Sequence, residues 1–124
     1  MSQLATFDDI RRSRDAALDA LDDVMDEIDN EIAQTTRTGG YLTQLTKRYQ
    51  DLKSEYAAIS MAATFAVLAQ PTVIAAAATL NTLSTQMKAT AKELPDATDV
   101  LTKTAAVLAL GQQFSDVIAN AQKT

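Results

Sequence analysis

Five aspartates recur at steps of three and four residues, Asp15, Asp19, Asp22, Asp26 and Asp29, with Asp23, Glu27 and Glu31 alongside. On an α-helix that spacing lines carboxylates along one face. Two kinds of chemistry could follow: binding of a hard cation such as calcium through oxygen ligands, or docking of a basic partner. The glycine-bent loop of an EF-hand is absent, and a straight helix converges carboxylates poorly on one ion. A solvated face, partly neutralised by Lys47, Arg48 and Lys53, is the plainer expectation, with an acidic adaptor or inhibitor surface as the functional alternative.

No other residue set suggests catalysis. The chain has no histidine, cysteine or tryptophan, so the usual general base and the commonest ligands of zinc, copper and haem are missing. The Glu-x-x-His pattern of carboxylate-bridged di-metal bundles therefore fails. No two carboxylates are marked as an acid–base pair by their position. The reading is a non-enzymatic protein with no catalytic residue, no metal site and no cofactor. A net charge of −5 argues against nucleic acid as partner, because affinity for it comes mainly from Lys and Arg neutralising phosphates.

The sharpest anomaly is Ala57–Met87, which contains no charged residue. One reading is a membrane-inserting hairpin with Pro71 at its tip, as in a component of an α-helical pore. A spanning helix needs about 20 apolar residues, whereas Ala57–Ala69 and Val73–Met87 are shorter and are diluted by Ser60, Thr64, Gln70, Thr79, Asn81, Thr82, Ser84 and Thr85. A bundle core or a subunit interface is the simpler expectation. Further along, Val100, Val107, Leu110, Phe114 and Val117 form a second apolar stripe beside Leu101, Leu108, Gly111 and Ile118. Two stripes imply two buried faces, one of them available to a partner. The candidate apolar interface is therefore Phe65, Leu68, Val73, Ile74, Leu80, Leu83, Val107, Leu110, Phe114 and Val117. The partner expected is protein, above all a second copy of the chain.

These residues must be positioned by helices. Leu18, Leu21, Met25, Ile28 and Ile32 alternate steps of three and four, and after Gly39-Gly40 the beat resumes at Leu42, Leu45, Tyr49, Leu52, Tyr56, Ile59 and Ala63. This is the a/d pattern of two helices meeting along a narrow seam. Facing residues of an antiparallel pair have a constant index sum, and Ile32–Leu45, Ile28–Tyr49, Met25–Leu52, Leu21–Tyr56 and Leu18–Ile59 all share the sum 77. The same register sets Arg14 against Ala63 at the open end, Arg48 beside Asp29, and Lys53 near Asp22, Asp23 and Asp26. Arg14, on the apolar seam, reads as a snorkelling side chain at that open end.

Four helices are expected, at about 7–35, 41–69, 72–93 and 96–121. Thr6 and Asp96 are the proposed caps, glycines stop the first helix, and Pro71 and Pro95 interrupt the chain. The fold class is all-α, an antiparallel four-helix bundle built on the heptad-patterned hairpin. The alternative is an elongated hairpin whose long helix, Tyr41 to about Glu93, is only kinked at Pro71. At 1.5 Å per residue that element would be roughly 80 Å long and suited to a filament. A length of 124 residues suits one domain with its own core. The N-terminal residues lack a basic region followed by an apolar run, so no classical signal peptide is expected, and the chain reads as cytoplasmic or exported without a cleaved signal. The functional expectation is an interaction or assembly subunit, with a filament, virion or exported component as one version of it.

Overall fold

The computed structural model describes residues 7–35, 39–94 and 100–122, without the side chain of Phe65. Among the described residues six helices follow in order: α1 (Phe7–Gln34), α2 (Gly40–Ala62), α3 (Phe65–Leu68), α4 (Pro71–Ile74), α5 (Ala77–Glu93) and α6 (Val100–Gln122). Four are long and build the expected bundle, while α3 and α4 are single turns within the connection between α2 and α5. The proposed caps Thr6 and Asp96, together with Pro95 and Asp99, lie outside the described residues.

The α1–α2 hairpin follows from the heptad beat. Buried Leu21, Met25 and Ile28 of α1 meet buried Leu45, Leu52 and Ile59 of α2. The register is visible at the open end, where Arg14 Nη1 donates to the Ala63 carbonyl at 3.2 Å. That carbonyl sits at the C-terminal end of α2, where a cation is favoured by the helix dipole. At the other end Tyr41 Oη donates to Glu31 Oε1 at 2.8 Å. Gly39 has a positive φ of 72° and stands at the entry to α2, where its carbonyl accepts from Thr43 N. The glycine thus opens the second helix rather than closing the first.

Two expectations about α2 need correction. Tyr49 is only half-buried and Tyr56 is 36% exposed, while Glu55 is buried. The reason is that α2 packs on α6 as well as α1, so its buried arc is centred between the two neighbours. For the same reason Arg48 does not lie beside Asp29 as an ion-pair partner; it turns to α6, donating to the Leu101 carbonyl at 2.6 Å and to Thr104 Oγ1 at 3.1 Å. Lys53 makes no ion pair with Asp22, Asp23 or Asp26.

The helix expected to reach Ala69 stops at Ala62. Thr64 breaks it, its Oγ1 accepting from Val67 N at 3.4 Å, which is the N-cap geometry that starts α3. Gln70 is then extended, with ψ 134°, as the residue before a proline prefers, and Pro71 occupies the first turn of α4. The proline therefore begins a helical turn rather than kinking a long rod, and the elongated alternative is not what forms.

Packing fixes the topology. α1 borders α2 and α5, and α6 borders α2 and α5, with α1 and α6 across the diagonal. Arg48 meets Thr104 while Glu55 meets Ser115, so α2 and α6 run parallel. Lys103 pairs with Glu93 at 2.9 Å, so α5 and α6 form an antiparallel hairpin. The connection between the two hairpins hence crosses the end of the bundle diagonally. On the way α3 packs on α1 and α4 on α6, and their buried Leu68 and Val73 plug that end.

Candidate functional site

Most of the apolar candidates are inside the bundle. Leu68, Val73, Leu80, Val107 and Phe114 have no exposed surface and Leu83 has 7%. Ile74, Leu110 and Val117 are half-buried against the same core. The side chain of Phe65 lies outside the described residues. The charge-free segment thus divides in two. Its large side chains close the end of the bundle, and what it shows to solvent is small and uncharged: Ala57, Ala58, Ser60, Thr64, Ala66, Ala69 and Thr72. Met61 stands among them with 78% of its surface exposed. Among the described residues no helix is long and apolar enough to cross a membrane.

The aspartate row on α1 is not uniform. Asp15 is engaged by Arg14 at 2.8 Å and by Arg11 at 3.5 Å. Asp19, Asp22, Asp26 and Asp29 are exposed, and none of them is in an ion pair among the described residues. The neutralisation expected from Lys47, Arg48 and Lys53 does not occur: Lys47 pairs with Asp51 on its own helix at 3.6 Å, and Arg48 is turned toward α6. No group of three or more metal-ligating side chains converges among the described residues.

Between α2 and α6 lies a polar layer that sequence reasoning passed over. Ser115 Oγ donates to Glu55 Oε1 at 2.7 Å. Burial pushes the Glu55 carboxyl above the usual carboxylate range, the Ser115 hydrogen bond pulls the other way, and Asp116 adds to the upward shift. Gly111 makes room for this glutamate: a Cβ there would stand 3.2 Å from Glu55 Cγ and 3.4 Å from Met87 Cε. About two turns toward the N-terminus of α6, Arg48 holds the Leu101 carbonyl and Thr104 Oγ1, beside a shallow groove of about 400 Å³ lined by Gln44, Lys47, Asp51 and Leu101. A glycine inside the apolar stripe of α6 was the available signal, since such a glycine often marks close approach of another element. Chemically the layer locks two helices together, and its one buried carboxyl is a proton-binding group.

Among the described residues the chain therefore offers three distinct features: the uncharged surface of Ala57–Met87, an acidic ridge on α1 whose Asp19, Asp22, Asp26 and Asp29 are in no ion pair, and a buried acid–hydroxyl pair. Comparison with protein-family models, with curated proteins and with solved structures finds no match to this chain.

Proposed function

We propose that this protein is a non-catalytic assembly subunit that docks onto a second copy of itself through the uncharged surface that Ala57–Met87 presents. The observation that carries the reading is Met61, a large apolar side chain 78% exposed within a surface that Ala57–Met87 leaves without any charge. Exposed apolar area rimmed by polar surface is characteristic of interaction sites, and methionine adapts to irregular partners. Elsewhere the exposed faces of α1, α2 and α5 carry charge, so apolar association is directed to this surface. Light scattering on a sizing column across a range of protein concentrations tests it. In 0.5 M salt the wild type is expected to grow in mass with concentration, and Met61→Glu combined with Ala58→Glu to remain monomeric with unchanged helical circular dichroism. A wild type that stays monomeric throughout would sink the self-assembly reading.

A second reading rests on a separate observation, the exposed Asp19, Asp22, Asp26 and Asp29, which are in no ion pair among the described residues. Here the ridge docks a basic partner surface. Changing Asp22, Asp26 and Asp29 to Asn is expected to weaken capture of a Lys/Arg-rich helical peptide at low salt; equal affinity would remove the idea.

A further inference from the structure

The three cations that flank the groove between α1 and α5 are as unmatched as the acidic ridge. Arg12 and Lys92 are exposed and Lys88 is half-buried, and none of the three lies within ion-pair distance of a carboxylate among the described residues. They border a groove of about 480 Å³ whose walls include Ala16, Ser84 and Thr85. Acids outnumber bases 16 to 11 in this chain, so a basic groove free of acidic partners is a local reversal of the overall charge.

Size narrows the occupant. The groove runs along α5 from Asn81 to Lys92, roughly 16 Å at 1.5 Å per residue. A small anion would use a fraction of that length, whereas a helix presenting carboxylates every three or four residues would use all of it. The chain itself carries such a helix. Asp19, Asp22, Asp26 and Asp29 extend over roughly 15 Å of α1, are exposed, and are in no ion pair among the described residues. One molecule does not join the two features. At about 100° per residue Asp19 and Asp26 lie roughly 60–80°, and Asp22 and Asp29 roughly 120–140°, around α1 from Ala16, which lines the groove, so the ridge stands to the side of the groove, and none of its four aspartates is in an ion pair with the groove's cations.

We infer that the α1–α5 groove of one copy receives the acidic ridge of α1 from a second copy, through Arg12, Lys88 and Lys92 facing Asp19, Asp22, Asp26 and Asp29. The contact is heterologous, with a different surface on each side. The pair keeps one unused groove on one copy and one unused ridge on the other, so the contact propagates into an open chain unless its rotation closes a ring. It rests on the reading of the protein as an assembly subunit and adds to it a polar, salt-sensitive interface distinct from the uncharged surface.

Two charge-neutralised variants of the full chain test this, both built on Met61→Glu with Ala58→Glu so that the uncharged surface does not contribute. One carries Arg12→Gln, Lys88→Gln and Lys92→Gln; the other carries Asp22→Asn, Asp26→Asn and Asp29→Asn. Each exposed ion pair removed weakens association by roughly 1.4- to fivefold, so each variant alone, with three pairs removed, is expected to self-associate roughly three- to 150-fold more weakly than the Met61→Glu, Ala58→Glu parent in low salt. Mixed in equal amounts, the two are expected to form a discrete heterodimer by light scattering, because the intact groove of one meets the intact ridge of the other and nothing further can add. Raising salt to 0.5 M shortens the screening length to a few ångströms and is expected to remove the groove contact, leaving in the wild type only the association through the uncharged surface. Failure of the mixture to form the heterodimer would overturn the inference, as would variants that associate like that parent. Association that ignores salt but is lost in Met61→Glu would overturn the groove while leaving the uncharged surface as the interface. A monomeric wild type at low salt would overturn both.

Discussion

Glu55 shows how one side chain can be both a lock and a liability. Its carboxyl is buried between α2 and α6, with Ser115 donating to it and Gly111 giving it space. Desolvation disfavours the charged form, so folding raises its pKa above the ordinary value. In the interval between the ordinary and the raised value, the folded state binds more protons than the unfolded state. Stability from this group is therefore complete below the ordinary value and is lost as pH rises through the raised one. Glu55→Gln keeps the shape and an acceptor for Ser115 without the charge. It is expected to stabilise the protein at neutral pH and to flatten this part of the pH dependence, measured by urea unfolding at a series of pH values. A wild type that gains stability on passing upward through the same interval, in step with the variant, would contradict the assignment.

At the scale of elements, the segment from Ala63 to Ala76 is the least anticipated part of the chain. Alanine and leucine content suggests helix throughout, yet Thr64 and the Gln70-Pro71 pair cut it into two single turns. Neither turn is long enough to be stable alone, since isolated short helices are marginal in water. They are held by Leu68 and Val73, which have no exposed surface. Leu68→Ala is expected to cost about 2–5 kcal/mol, the usual range for a leucine truncated in a core. Met61→Ala, a change to an exposed side chain a few residues away, is expected to stay within about 0.5 kcal/mol. Chemical denaturation of both variants checks the contrast, and near-equal losses would mean that the plug is not part of the cooperative core.

The whole molecule is two antiparallel hairpins joined by a diagonal crossing. Because α1 lies along α5 and α2 along α6, neither hairpin keeps a core of its own. Leu21, Leu52, Met87 and Phe114, one from each long helix, are all fully buried. Unfolding is accordingly expected to be a single transition, with far-ultraviolet circular dichroism and tyrosine fluorescence coinciding in urea. Two separated transitions would show that the hairpins are independent units. The acidic ridge and the basic groove also belong to this scale, since each is defined by how α1 sits between α2 and α5.

Patterns that repeat along one helix or between neighbours in sequence were legible in the residues themselves. The heptad beat determined that α1 and α2 pair antiparallel and in which register, because a/d spacing leaves one apolar line per helix and the short Gly-containing turn permits one orientation. The all-α class and the burial of the charge-free segment's large side chains follow from the same periodicity. What tertiary structure decided was every choice involving a third helix. Tyr56 and Glu55 are adjacent, and only the arrival of α6 determines that the glutamate is inside and the tyrosine outside. Arg48 could face Asp29 or Thr104 at equal sequence cost, and the neighbouring helix settles it. The large apolar candidates of α5 and α6 were legible as buried, but whether by a partner or by the chain's own core depends on where the diagonal connection leads. That path is set by the sum of many weak packing terms across distant residues, and no local spacing records such a sum.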